Sequence, residues 1–128
     1  IPSCTSDGGV DGGPEPFDPD VHYEGGFRLL PPPSSSCGAA TYNLSNVTFS
    51  SSSSELVVQA GAFRMTETPR PSDESFDVTY TQNNCGNYRL TGTFVSSDEF
   101  TGTWTASFFG GCNICGDQNQ AVAGVRTP

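Results

Sequence analysis

Apolar and polar residues alternate along three stretches of the second half of the chain, residues 76–80, 87–95 and 99–109. A period of two residues is typical of a β-strand that has one face in a core and the other face in water. Residues 96–98 are Ser-Ser-Asp, a composition that favours a turn. We therefore predict three half-buried strands here, and we expect the second and third to form a hairpin.

Four further strands are predicted from weaker signals. They are residues 21–30, 41–49, 55–65 and 121–126. In the second of these the apolar phase slips, which predicts a β-bulge near Ser45 and Asn46. No window has a convincing helical period, so the fold is predicted to be all-β, an antiparallel sandwich or small barrel of about seven strands. A meander that closes into a barrel would resemble a lipocalin-like shape.

Two glycines interrupt the apolar face of the predicted hairpin. Gly92 and Gly102 each stand between two threonines, at matching places in the two strands. Glycine inside a strand marks a close approach of another group or a sharp bend of the sheet. We expect this pair to admit the ring of Trp104 or to allow a tight bend.

The first twenty residues differ in composition from the rest of the chain. They are rich in Gly, Pro and acidic residues. Their apolar positions are Ile1, Cys4, Val10 and Phe17. A segment with so little to bury is typical of a flexible linker. We predict that residues 1–20 form an extended arm or tether and that residues 21–128 form a single β domain.

The charge of the chain excludes several kinds of partner. The formal net charge is −9, and the five basic residues are all arginines. Binding to nucleic acid requires clustered basic residues, and an anionic membrane surface would repel this chain for the same reason. No stretch is apolar enough and long enough to span a membrane. We expect an extracellular or cell-envelope protein.

Four cysteines are predicted to form a disulfide framework. They are Cys37, Cys85, Cys112 and Cys115. Folding the predicted hairpin brings its two open ends together, which favours a bond between Cys85 and Cys112 and leaves Cys37 for Cys115. Cys112 and Cys115 also form a C-x-x-C motif, but a redox role expects a βαβ unit and a zinc site expects a second such pair. Structural disulfides, which suit an oxidising compartment, are the favoured interpretation.

The fifth cysteine, Cys4, lies in the arm. The residues Ile1-Pro2-Ser3-Cys4 loosely match a bacterial lipobox, in which the cysteine becomes a lipidated N-terminus. Lipoprotein processing would remove the first three residues, which this chain retains. An intermolecular disulfide, or a bond within the domain, is the alternative for a leftover cysteine.

The C-terminal part of the chain contains a half-repeat. Leu90-Thr-Gly-Thr-Phe94 is followed by Phe100-Thr-Gly-Thr-Trp104, then by the C-x-x-C motif and a final Gly-Val-Arg. Residues 90–126 in this arrangement resemble β-rich domains of secreted bacterial proteins and lipoproteins. The resemblance implies an envelope or extracellular setting and implies no activity.

Candidate catalytic residues are few. His22 is the only histidine, and no nucleophile motif lies near it, so we interpret it as an exposed residue at a strand edge. Pairs of carboxylates can hydrolyse glycosides. Here the candidates are Asp73 with Glu74, Asp77, and Asp98 with Glu99. We interpret all of them as solvated surface acids, and we expect no enzyme.

Two further kinds of site are considered. Calcium prefers oxygen ligands, and the arm offers several carboxylates without the spacing of an EF-hand. The calcium candidates are Asp7, Asp11, Asp18 and Asp20. Asn43 and Asn46 begin sequons for N-glycosylation, although both overlap a predicted strand. We expect no obligatory cofactor.

Two functions remain open at this point. The first is a non-enzymatic structural protein of the cell surface, which would form fibres by adding its arm to the sheet edge of a neighbour. The alternative is a module that binds a small molecule or a glycan, in a pocket lined by its aromatic residues. The expected partner is therefore another copy of the chain or such a ligand.

Overall fold

The computed structural model describes residues 16–128, in which nearly every regular element is a β-strand. One helix, α1, precedes ten strands, and a single 3-10 turn, Gly110–Cys112, precedes the last strand. The bounds are α1 Pro19–His22, β1 Gly25–Leu30, β2 Ser34–Cys37, β3 Ala40–Asn43, β4 Asn46–Ser52, β5 Glu55–Ala60, β6 Phe63–Glu67, β7 Ser75–Gln82, β8 Gly86–Ser96, β9 Glu99–Phe108 and β10 Gln118–Arg126. The predicted all-β class is confirmed.

Eight of the strands form a closed antiparallel barrel. Its order is β1, β4, β5, β6, β7, β8, β9 and β10, and β10 pairs with β1 to complete the ring. In that last ladder Gly124 lies opposite Leu29. The sequence left sandwich and barrel open and predicted about seven strands. The structure has the barrel, and the expected number is close.

Aromatic side chains fill the interior of the barrel. Eight strands enclose a space just wide enough for side chains to fill. Phe27, Phe49 and Phe100 form one cluster, with ring centroids 5.1–5.6 Å apart. All three are almost completely buried, as is Trp104. The core therefore consists of packed rings in edge-to-face and tilted contacts, which stabilise beyond the area they bury.

Glycines admit these rings. Gly92 and Gly102 are register partners, as their matching positions predicted. A Cβ atom at Gly92 would lie 2.6 Å from the ring of Phe76, and one at Gly124 would lie 2.0 Å from the ring of Phe100. Gly102 instead faces the backbone of β8. The rings that need room are thus those of Phe76 and Phe100, whereas the sequence suggested the ring of Trp104 or a tight bend.

One end of the barrel is covered by strands β2 and β3, which we call the lid. They pair only with each other. The disulfide between Cys37 and Cys115 joins the lid to the loop before β10. A second disulfide joins Cys85 to Cys112, across the open end of the β8–β9 hairpin. The four cysteines are thus paired as the hairpin geometry indicated.

The opposite end is covered by α1 and by Phe17, which lies two residues before the helix. Phe17, which was expected in the arm, packs its ring 5.3 Å from that of Tyr23. The side chain of Asp18 caps the helix by accepting a hydrogen bond from the amide of Asp20. Arg126 donates to three backbone carbonyl groups at this end and lies over the ring of Phe27.

Three of the predicted strands are corrected by the structure. Residues 21–30 contain the end of α1 before β1 begins. Residues 41–49 hold no bulge, because the phase slip marks the passage from β3 in the lid to β4 in the barrel. Residues 55–65 form two strands, since the chain reverses at Gly61, whose φ of 60° lies in the left-handed region that favours glycine.

Candidate functional site

A groove crosses the outer face of the barrel over strands β7, β8, β9 and β10. Its volume is about 500 Å³. It is lined by residues 79–81, 87–89, 105–107 and 117–119, three consecutive residues from each of four neighbouring chain segments. The interior of the barrel is filled, so this outer groove is the best candidate for a binding site.

Strand register arranges the outward side chains of the groove in two rows. Thr79, Arg89, Thr105 and Asn119 are successive register partners and form the first row. Thr81, Asn87 and Ser107 are likewise partners, and Asp117 extends this second row just before β10. The floor between the rows consists of Tyr88 and Ala106, which are buried, and of Tyr80 and Gln118, which are half-buried. Each row therefore forms one wall.

The dimensions of the groove follow from strand geometry. Four strands give three steps of about 4.8 Å, so the groove is about 14 Å long. Its walls are two residues apart along each strand, which separates them by about 6.7 Å. Backbone groups of β8 and β9, the two inner strands of the floor, are occupied by ladders on both sides, so a ligand has to be recognised there by the side chains of the walls.

Ion pairing neutralises the single cation of the groove. Arg89 donates from Nε to Asp77 Oδ1 at 2.8 Å and also donates to the second carboxylate oxygen of Asp77. These hydrogen bonds, and the negative charge of Asp77, raise the pKa of the Arg89 guanidinium. The pair lies on the outer face, so it fixes the orientation of Arg89 more than it stabilises the fold.

The amide and the acid of the second wall are also oriented. Thr81 donates from its hydroxyl to Asn87 Oδ1 at 2.7 Å, which leaves the amide NH₂ of Asn87 to face the groove. Asp117 accepts a hydrogen bond from the backbone of Phe108 at 3.1 Å. The eight wall residues thus present hydroxyl, amide, guanidinium and carboxylate groups and no aromatic ring. Such a surface suits a polar, uncharged ligand that carries several hydroxyl groups.

The structure describes two of the four calcium candidates. Asp7 and Asp11 lie outside the described residues, as does Cys4. Asp18 caps α1, and Asp20 accepts a hydrogen bond from Arg70 at 2.8 Å. From residue 16 onward, no group of three or more histidine, cysteine or acidic residues is placed to hold a metal ion. A calcium site therefore stays a prediction.

The expectation of an exposed histidine is wrong. His22 is 3 % exposed, at the end of α1. Its Nδ1 lies 2.9 Å from the backbone oxygen of Asp18, and its ring packs 4.7 Å from that of Phe17. The helix and the aromatic contacts bury it, and neither was visible in the strand pattern. Its contacts assign it to the packing of this barrel end.

The other predicted residues remain on the surface. Asp98 lies 3.3 Å from Arg126, and Asp77 is paired as described above. Asn43 and Asn46 are exposed on either side of buried Leu44, where the lid joins β4. Occupancy of these sequons stays a prediction.

Sequence reasoning missed the groove. It assigned Thr79 and Thr105 to the solvent face of their strands, where they are, but it did not place them side by side. The alignment of the two Thr-Gly-Thr segments was the available signal. With Gly92 opposite Gly102, the hairpin register follows, and the two rows follow from that register.

Comparison of the chain with protein-family models, with curated proteins and with solved structures finds no match. Within residues 16–128, no helix is long and apolar enough to cross a membrane.

Proposed function

We propose that this chain is a non-enzymatic extracellular binding module that holds a neutral glycan in the groove across β7–β10. The observation that carries the proposal is the pair of polar walls on either side of a floor whose two inner strands have their backbone groups paired. The two disulfides support an oxidising, extracellular setting. A ligand inside the barrel is less favoured as the main function, because aromatic side chains fill that space.

The charge of the groove supports a neutral ligand. Arg89 is paired with Asp77, so only Asp117 contributes an uncompensated charge to the walls. The chain as a whole carries a net charge of −9, which disfavours acidic polysaccharides. Neighbouring hydroxyl groups of a sugar can donate to Asp117 and accept from the amides of Asn87 and Asn119. The length of about 14 Å fits an oligosaccharide segment lying across the four strands.

The proposal is tested by titrating the full chain with neutral trisaccharides, such as cellotriose, maltotriose and mannotriose, in a calorimeter. We expect at least one to bind with a dissociation constant below about 1 mM. A hydrogen bond between neutral groups contributes about 0.5–1.5 kcal/mol. Replacing Asn87 or Asn119 by Ala should therefore weaken binding about two- to tenfold. The proposal would be overturned if none of the neutral oligosaccharides gave a heat of binding.

Matched variants serve as controls. Asn46→Ala removes an exposed amide from β4, outside the groove, and should leave the affinity unchanged. Thr105→Ala in the groove should also weaken binding, and Thr48→Ala, at an exposed position of β4, is its control. Equal losses in groove and control variants would mean that the ligand binds elsewhere.

Self-assembly through the arm is the second candidate. All strands of the barrel have neighbours on both sides, but the lid is a two-stranded sheet with outer edges. A strand from the arm of another copy has room to add to such an edge. Light scattering on the full chain and on a chain that begins at Pro16 would test it. The shorter chain keeps Phe17 and α1, so equal assembly by both chains would contradict a role for the arm.

A further inference from the structure

The lid places one aromatic ring inside the end of the barrel. Tyr42 of β3 lies among Phe63, Tyr88 and Trp104, with ring centroids 5.5, 5.6 and 5.8 Å away. Its hydroxyl donates to Gln118 Oε1, which also accepts a hydrogen bond from the indole nitrogen of Trp104 at 3.1 Å. We call the space that this ring occupies the slot. Its walls are three rings and one amide oxygen.

The ring in the slot belongs to a separate layer. Tyr42 is half-buried, whereas Tyr88 and Trp104 of the barrel are at most 1 % exposed. Besides the disulfide of Cys37, the lid is held by side chains of the barrel that donate to its backbone. Gln118 donates to Ser34 O at 2.9 Å and Gln82 donates to Ala39 O at 3.1 Å. These contacts can break without unpairing any strand of the barrel.

Beside the slot, two neighbouring strands of the barrel wall, β6 and β7, share very few ladder pairs. A single residue pair, Thr66 with Thr79, joins β6 to β7. Toward the lid the two strands form no further pair, and the rings of Phe63 and Tyr80 stack across the seam at 5.2 Å. Every other ladder of the barrel has at least four pairs. The seam between β6 and β7 is therefore the part of the barrel wall with the fewest ladder pairs, and it lies beside the slot.

We propose that the slot is a binding site for a small phenol, that Tyr42 occupies it in the oxidised protein, and that the Cys37–Cys115 disulfide holds the lid over it. A phenol matches the site because a flat ring fits the three aromatic walls and a hydroxyl replaces that of Tyr42 at Gln118. An unsubstituted hydrocarbon would leave that acceptor with one partner fewer. The site is separate from the groove, so this inference does not rest on the proposed glycan binding.

The two disulfides differ in their access to a reductant. Cys37 is partly exposed, whereas Cys85 and Cys112 are 3 % and 2 % exposed. A thiolate of a dithiol attacks Cys37 Sγ, which breaks the bond and releases the thiolate of Cys115. The second thiol of the reagent then displaces Cys37 and closes a cyclic disulfide. The reagent loses two electrons and both cysteines end as thiols, which frees the lid.

The experiment uses Trp104, the only tryptophan of the chain, as a reporter in the wall of the slot. The fluorescence and Tm of the full chain are followed during titration with p-cresol, with toluene as the control ligand. Three proteins are compared: the oxidised chain, the chain with both Cys37 and Cys115 replaced by Ser, and Tyr42→Ala. We expect the two variants to bind p-cresol about tenfold or more tightly than the oxidised chain, because the competing ring is released or removed. Toluene should bind more weakly than p-cresol.

Each other outcome overturns part of the proposal. If neither variant binds p-cresol, the slot is not a ligand site. If only Tyr42→Ala binds it, the disulfide does not control access. If toluene binds as well as p-cresol, the site does not select phenols. If a variant lacks a cooperative melt, the same titration is made on the wild-type chain after treatment with dithiothreitol, and the absence of binding there contradicts the proposal.

Discussion

Replacement of Gly102 by Ala should destabilise the barrel through a direct collision of two backbones. A Cβ atom at this position would lie 1.9 Å from the carbonyl oxygen of Thr91 and 2.8 Å from the Cα of Gly92. Ordinary van der Waals contact begins at 3.4 Å, so β8 and β9 would have to separate by about 1.5 Å. The obstacle is backbone, which cannot rotate away as a side chain can.

The magnitude combines two costs and one offsetting gain. Overpacking of a core costs about 1–3 kcal/mol. Separation of the strands also weakens one or two ladder hydrogen bonds, each contributing about 1 kcal/mol. The stiffer unfolded chain of the variant offsets this by about 0.4–1 kcal/mol. We therefore expect the free energy of unfolding of Gly102→Ala to fall by about 3 kcal/mol, which lowers Tm by about 10 °C for a domain of this size.

The assay is thermal unfolding followed by circular dichroism, with two control variants. Gly116→Ala has no atom within 4 Å of the added Cβ, so its Tm should stay within about 2 °C of the wild type. Gly38→Ala also has open space, but its φ of 56° is unfavourable for alanine, and it should lose about 1 kcal/mol. If the Tm of Gly102→Ala equals that of the wild type, the close approach of β8 and β9 is refuted.

Three further predictions concern the ends of the barrel. Replacing Cys85 and Cys112 by Ser removes a disulfide between residues 27 positions apart, and chain entropy predicts that the free energy of unfolding falls by about 3.5 kcal/mol. The Tm should fall accordingly, and an unchanged Tm would contradict this prediction. Arg126→Met removes hydrogen bonds to three carbonyl groups, so the free energy of unfolding measured in urea should fall by about 2–3 kcal/mol. Arg64→Met is the control: it removes an exposed ion pair and should lower the free energy of unfolding by under about 1 kcal/mol. Burial raises the pKa of Tyr42 from its ordinary value of 10.0 to about 12. The neutral hydroxyl therefore stabilises the fold below pH 10, and this contribution is lost as the pH rises through 12. The Tm of Tyr42→Phe should fall less across that pH range than the Tm of the wild type.

The hairpin of β8 and β9 was predictable because its alternation is regular and one face is buried. Inward residues such as Leu90 and Trp104 share a period of two with their neighbours, and the register pairs them as the pattern requires. The cysteine pairing followed from the same hairpin. Local pattern was sufficient here because the two strands are consecutive and a polar turn separates them.

Other features depend on contacts that a local pattern does not contain. Closure of the barrel joins Leu29 to Gly124, which are far apart in the chain. The turn at Gly61 was missed because apolar residues flank it on both sides and the alternation continues through it. His22 was misplaced because its burial depends on Phe17, which the composition assigned to the arm, and on Phe94 of the distant strand β8. The groove requires four strands in register, so its walls become visible only in the folded chain.

The filled interior distinguishes this barrel from one that holds a ligand in its centre. Aromatic and aliphatic side chains fill the interior, so the binding sites that we propose lie on the outer face and at the end beneath the lid. Both locations use side chains whose orientation is fixed by neighbours. Arg89 is fixed by Asp77 in the groove, as Gln118 is fixed by Trp104 in the slot, and preorganisation of this kind lowers the entropic cost of binding.

Amide chemical-shift mapping during titration with the tightest-binding neutral trisaccharide tests the central claim most directly. The proposed function predicts that the perturbed amides cluster in residues 79–81, 87–89, 105–107 and 117–119, with those of β4 and β5 unchanged. Perturbations confined to the lid or to β4 and β5, or none at saturating ligand, would contradict glycan binding in the groove.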